Sequence, residues 1–215
     1  MAHEGHDHDD HDHGHGHGHH HHHGHDHHHG HDHHHDHGHA HDHAHEHGSA
    51  TAAEHKSHAP VHVSAFVVTC SDTRDESKDE SGRVLRELLE GDGHSVSGYR
   101  VIQDEPEAIR AMLKEAQAVG ARAVIFNGGT GIGRRDSTVE TLQALFEKTL
   151  PGFGELFRAL SYKEIGSAAM MSRATAGTYQ GMILFALPGS PQAVRLGLQQ
   201  LILPELGHAV RELTR

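Results

Sequence analysis

Tryptophan is absent from the 215 residues, cysteine occurs once, and only 4% of the chain is aromatic. A single cysteine, Cys70, excludes an internal disulfide framework, so any fold must rest on its apolar core. No histidine is fixed beside Cys70 by the sequence, and it reads as a packing residue at the end of a strand rather than a nucleophile. Long apolar runs are missing too. None approaches the ~18–20 residues of a membrane span, and the N-terminus has no apolar stretch of the signal-peptide kind. A soluble, cytoplasmic protein without membrane contact is expected. Basic residues are scarce: 18 stand against 30 acids, for a formal charge of −12. Nucleic-acid binding needs a basic face, and nothing here supplies one.

What the chain has in excess is histidine. Residues 1–58 carry 28 of the 31 histidines with 11 acids and one base, Lys56. The acidity belongs to this segment, because 19 acids and 17 bases remain elsewhere. No Leu, Ile, Val or Phe precedes Val61. A segment that cannot bury apolar surface cannot offset the entropy of ordering, so a disordered tail and linker over 1–60 is expected, ahead of a folded domain over 61–215. Neutral imidazole is a borderline ligand suited to zinc, nickel, copper and cobalt. The run HGHGHGHHHHHGHDHHHGHDHHHDHGH offers overlapping sets of donors, densest at His15, His17, His19, His20, His21, His22, His23, His25, His27, His28 and His29. Two readings fit. The tail buffers or delivers metal in the cell, or it is a solvated low-complexity segment that takes up metal only in the test tube.

Beyond the tail the pattern changes. VHVSAFVVTC (61–70), HSVSGYRVI (94–102), RAVIFN (122–127) and GMILFAL (181–187) are strand-like runs. Between them lie helical spacings. One is expected over 82–90 with Ser81 as its cap, one from Pro106, and one over 138–149. Pro151-Gly152 reads as a break before a shorter helix, and 191–213 reads as helical with an interruption near Pro204. Strands alternating with amphipathic helices predict an α/β fold: an open, mostly parallel sheet with helices on both faces. Such sheets bind ligands beyond the carboxyl ends of their strands. The polar segments 69–82, 103–106, 127–136 and 188–191 are therefore where a site is expected.

The most pointed of these is NGGTGIGRRD (127–136). Gly128, Gly129, Gly131 and Gly133 permit close approach of backbone to a ligand. Successive N–H groups leading into a helix form an anion nest, Thr130 adds a hydroxyl, and Arg134 and Arg135 can screen negative charge. The spacing matches neither the dinucleotide fingerprint nor a P-loop. A purely structural turn remains an alternative, and Asp136 reads either as a helix cap or as a functional acid.

NGGTGIGRRDSTVE, VTCSDTRDESKDESG, QDEPEAI, GFGELFRALSYKEIGSAAMMSRATAG and FALPGSPQAVRLGLQQLILPEL, in this order from about Val63 to Leu213, resemble the molybdenum cofactor biosynthesis proteins of the MoaB/Mog type. The SYKEIGSAAMMSRATAG and PGSP segments look closer to the MoaB branch. The tail has no counterpart in the family pattern. The resemblance implies a three-layer α/β/α domain that binds molybdopterin, assembles as a homotrimer or homohexamer, and passes its product to a molybdate-inserting enzyme. It implies an adenylyltransferase: the terminal phosphate of molybdopterin attacks the α-phosphate of ATP, yielding adenylyl-molybdopterin and pyrophosphate. Asp104 and Asp136 match the family's two functional acids, with magnesium held between carboxylate and phosphates. Ser71, Asp72, Ser81, Gly82, Gly128, Gly129, Thr130, Gly131, Glu155, Ser172, Arg173, Pro188, Gly189 and Ser190 match segments around the pterin and nucleotide. Simpler roles stand beside several of these: a turn at Asp104, a helix cap at Glu155, a solvated face or subunit contact at Arg158 and Arg173. Two other functions remain open, a non-catalytic pterin-binding scaffold and a metal store that uses the body to gather its tails.

Overall fold

The structure is a computed structural model, and it describes residues 62–215. The histidine-rich segment, with the metal donors expected on it and the boundary expected at residue 60, lies outside the described residues.

Among the described residues there are six strands and six α-helices, mostly alternating. β1 (Ser64–Cys70) leads through a 3-10 turn (Glu76–Lys78) to α1 (Glu80–Gly91) and β2 (Ser95–Ile102). α2 (Pro106–Ala118) and β3 (Ala123–Asn127) follow, then α3 (Thr138–Gln143) and a two-residue β4 (Lys148–Thr149). α4 (Pro151–Ile165) runs into a 3-10 segment (Gly166–Met171) before the hairpin of β5 (Thr175–Tyr179) and β6 (Met182–Leu187). α5 (Pro191–Gly197), a π-helical turn (Leu198–Ile202) and α6 (Leu203–Leu213) close the chain.

The strands form one sheet in the order β2-β1-β3-β6-β5-β4. β1 pairs in parallel with β2 and β3, and β3 with β6, whereas β5 pairs antiparallel with β6 and β4. The apolar runs are continuous because both faces are covered. Alternate residues feed two cores. Ala65, Val67, Ala123, Ile125, Ile183 and Phe185 pack on one side against Leu85 and Leu89 of α1, Val194 of α5, and Leu206 and Val210 of α6. Phe66, Val68, Val124, Phe126, Leu184 and Ala186 pack on the other against Ile109, Leu113 and Ala116 of α2 and Leu142 of α3. This is the expected three-layer α/β/α arrangement.

Several boundaries differ from expectation. α1 begins at Glu80, and its cap is Asp79, whose carboxylate accepts from the Gly82 amide; Ser81 lies inside the first turn. The helix expected over 138–149 ends at Gln143. Phe146 lies over β5 where Gly177 leaves room for its ring, and Lys148–Thr149 then adds an edge strand to β5. Pro151 starts a helix rather than breaking the chain, since proline at the first helical position loses no hydrogen bond. β5 is a strand that was not expected. Its residues, TAGTY, are small, and its hairpin turns on Gln180 and Gly181, both at positive φ. The interruption expected near Pro204 is the π-helical turn just before it, where the widened ladder accommodates the missing proline N–H.

Candidate active site

Parallel strands leave one sheet edge where β1, β2, β3 and β6 all finish, and the four polar segments meet there. Between them lies a cleft of about 480 Å³. Cys70, Ser71, Thr73 and Arg74 contribute one wall, Gly128 to Gly131 with Asp136 the floor, and Pro188, Gly189 and Ser190 a second wall. α4 and the 3-10 segment close it with Phe157, Ser161, Ile165, Ala168 and Met171, next to Ser172.

The glycine loop is held from below. Gly128 has φ +93° and Gly129 φ +62°, the left-handed region where L side chains are strained. A Cβ at Gly128 would overlap the carbonyl oxygen of Cys70, and one at Gly129 would overlap the Asp104 carboxylate and the Thr138 hydroxyl. Turn geometry and close packing both require glycine here. Arg173 braces the same loop, with Nε donating to the Thr130 carbonyl at 3.3 Å and Nη2 to the Asp136 carbonyl at 3.5 Å. Its remaining arm pairs with Glu140, and that bond holds the Glu140 carboxyl below its usual range.

The two acids occupy different positions. Asp136 lines the cleft; its Oδ2 accepts from the Gly133 amide at 2.7 Å, and Oδ1 has no partner among the described residues. The helix cap is not Asp136, since Ser137 occupies that position. Asp104 is buried behind the loop. Its carboxylate accepts from the Ser137 amide at 3.0 Å, the Ser137 hydroxyl at 3.1 Å and the Thr138 hydroxyl at 2.8 Å, so it ties the exit of β2 to the start of α3. Among the described residues no three His, Cys, Asp or Glu side chains converge as a metal cage. A magnesium ion carried by a nucleotide would fit this arrangement, with Asp136 as the residue that would hold it.

The remaining expected residues divide between the cleft and its surroundings. Ser71 faces the cleft and its hydroxyl accepts from the Arg74 amide at 3.1 Å, which folds the loop after β1. Ser190 caps α5, accepting from the Ala193 amide at 3.2 Å. Ser81 stands behind the wall, donating to the Gly189 carbonyl at 2.8 Å, and Gly82 is taken up by the α1 cap. Asp72 pairs outward with Arg135 at 3.2 Å, and Arg135 also approaches Glu105 at 3.7 Å. Arg134 is exposed away from the cleft lining. The cation that lines the cleft is instead Arg74, which the sequence reading passed over. Its position five residues before Asp79, in SDTRDESKD, gave no local signal. Glu155 lies not in this cleft but in a neighbouring depression of about 390 Å³, with Arg158 and the far side of Arg173. Cys70 is buried, and burial pushes its thiol up to about 12, which keeps it unreactive.

A family model described as "Probable molybdopterin binding domain" matches residues 66–208. The Molybdenum cofactor biosynthesis protein B of Bacillus subtilis is 49% identical over 164 residues, covering 75% of this chain and 96% of the relative. Among solved structures, one of Molybdenum cofactor biosynthesis protein B superposes with a TM-score of 0.70 at 48% identity, over 73% of this chain and 99% of that one. The tungsten cofactor synthesizing protein MoaB from Pyrococcus furiosus superposes with a TM-score of 0.68 at 39% identity, over 73% and 100%. With its glycine loop, its Asp136 and its sheet order all in the matched region, the chain belongs to the MoaB/Mog family of molybdenum cofactor biosynthesis proteins.

Proposed function

We propose that the domain adenylylates molybdopterin. In this reading a terminal phosphate oxygen of molybdopterin bonds to the α-phosphorus of Mg-ATP, the bond from that phosphorus to the β-bridging oxygen breaks, and pyrophosphate leaves with both electrons of the broken bond. The observation that carries it is the cleft itself. A glycine loop with exposed backbone, one cation and one carboxylate with an unpartnered oxygen face the same space at the carboxyl edge of the sheet. Two anions must be brought together there, so the work is positioning and charge neutralisation. In this reading the amides of Gly129 to Gly131 receive phosphate oxygens, and Asp136 would hold the magnesium that travels with ATP. Asp104 acts indirectly, by fixing Gly129 and the start of α3. Ser71, Ser172 and Pro188 to Ser190 shape the walls, and Arg173 holds the loop's carbonyls.

The test is pyrophosphate release by the full chain from Mg-ATP, with and without molybdopterin. Release that requires molybdopterin is expected. Tight molybdopterin binding with no release would make the domain a pterin-binding scaffold instead.

The tail, 1–60, is proposed as a separate metal-binding unit that takes zinc, nickel, copper or cobalt without a part in catalysis. Deleting it should leave pyrophosphate release unchanged and remove most bound nickel or copper, read by equilibrium dialysis and elemental analysis. Loss of catalysis on deletion would reject the separation of roles.

The chain is also proposed to assemble as a trimer or hexamer. α4 and the 3-10 segment after it expose Tyr162, Ile165, Met170 and Met171, and Tyr162 and Met170 line one shallow depression. Met170→Asp should shift sedimentation toward the monomer. An unchanged sedimentation coefficient would move the interface elsewhere. Assembly would concentrate the tails and, through the same molecule, their metal donors. The adenylylated product would then pass to a molybdate-inserting enzyme. No helix among the described residues is long and apolar enough to cross a membrane.

A further inference from the structure

Among the described residues that line the cleft, Arg74 is the only Lys or Arg. Its placement is built rather than incidental. Nη1 donates to the Gly189 carbonyl at 3.0 Å, the same oxygen that accepts from Ser81. Behind it, at 4.0 Å, lies the carboxylate of Asp79, whose side chain is fully buried. A buried carboxylate is costly unless its oxygens are satisfied. Here the hydroxyls of Thr69 and Tyr99 and the amide of Gly82 all donate to it, with Tyr99 at 2.7 Å and Gly82 at 3.1 Å. Asn127 donates to Thr69 in turn at 2.7 Å, which joins the network to the residue just before the glycine loop. These are three donors to one charge, and no Lys or Arg other than Arg74 pairs with it among the described residues. A guanidinium carries five N–H donors. Gly189 uses one, and the side chain, which lines the cleft, remains 39% exposed.

We infer that Arg74 is a phosphate-binding residue of the cleft, held ready by Asp79 as its positioning residue. This rests on the proposed function in naming the phosphate's source, either the phosphomonoester of the pterin or the phosphates of ATP. The chemistry is the same for both: a planar, preorganised fork meets a tetrahedral dianion across from the amides of the glycine loop. Asp79 neutralises the guanidinium only in part at 4.0 Å, so the pair keeps its geometry without cancelling the field at the cleft. Arg134 and Arg135 do not substitute. One is exposed and does not line the cleft, and the other is paired with Asp72 and Glu105.

The experiment uses the full chain stripped of transition metals and returned to magnesium buffer, so that the tail carries none. Five probes are titrated: the stable oxidised pterin with its phosphate, the same pterin without it, ATP, adenosine, and inorganic pyrophosphate. Arg74→Ala is expected to weaken one phosphorylated ligand about 10–100-fold while its unphosphorylated counterpart binds as before. Which of the two pairs responds identifies the source. Arg74→Lys should recover only part of the loss, because it lacks the fork. Asp79→Asn should weaken the same ligand alone, and in the Arg74→Ala background it should add nothing, which a merely structural role would not produce. Equal weakening of phosphorylated and unphosphorylated ligands, or no weakening, overturns the inference. So does a wild-type chain that binds none of the phosphates. If wild-type binds pyrophosphate in an Arg74-dependent way yet never joins pterin to AMP, the reading as an adenylyltransferase fails and the phosphate site stands.

Discussion

Asp136→Asn should lower the rate of adenylyl transfer about a thousandfold and leave the fold unchanged. The two halves of this expectation come from different atoms. Oδ2 accepts from the Gly133 amide at 2.7 Å, and an asparagine oxygen can accept the same bond, so the loop keeps its shape. Oδ1 has no partner among the described residues. In the variant this position becomes an NH2 group that cannot bind a cation and presents protons to it. On the proposed function, what would be lost is the negative charge available to the magnesium that accompanies ATP, and several kcal/mol of transition-state stabilisation with it. Single-turnover rates with thermal melts on the same samples would check both halves. A wild-type rate would remove Asp136 from the reaction, and a lowered melting temperature would assign it to the loop's stability. Asp104→Asn should behave differently. All three groups around that carboxylate are donors, so an amide would place NH2 against an N–H or O–H and disturb the junction of β2 and α3.

The sheet was legible because parallel strands buried on both faces must be apolar at every position. β1, β3 and β6 are such runs, and each was placed to within about three residues. β5 was not legible, since TAGTY is strand only by virtue of its hairpin with β6 and of Phe146 lying over Gly177. The ends of α1 and α3 were misread for a related reason. A cap or a stop depends on which side chain reaches which amide, and Asp79 won over Ser81 because it also answers to Thr69 and Tyr99 from two strands. At the site, the glycine loop and Asp136 are local in sequence, and both line the cleft. Arg74 was missed because its role is set by Gly189, 115 residues away. Glu155 was placed with the cleft by its motif, yet α4 turns it into the neighbouring depression. Residues that touch the ligand edge from one loop can be read in order; those that meet across loops cannot.

Gly128→Ala should cost about 3 kcal/mol and lower the melting temperature by about 6–12 °C. Two independent penalties converge. At φ +93° the backbone lies in a region that an L residue enters only under strain. The new methyl would also meet the carbonyl oxygen of Cys70, which is backbone at the end of a central strand and cannot swing away as a side chain would. Gly128 cannot move in the other direction either. Its amide donates to the Leu187 carbonyl at 3.0 Å, and its Cα lies against Gly189 on the opposite wall. The residue is therefore wedged between the ends of β1 and β6, and relief requires the glycine loop to lift from the sheet edge. Lifting it would carry the amides of Gly129 to Gly131 out of register with the cleft, so phosphate binding should weaken with stability rather than separately. Gly91→Ala provides the comparison: it closes α1, nothing lies within 4 Å of its Cβ, and alanine there should be neutral or modestly stabilising. A Gly128→Ala protein that melts like the Gly91→Ala protein and binds pyrophosphate as tightly as wild type would mean that the loop is not pinned at this junction, and the anion nest would have to be supported from the Arg173 side alone.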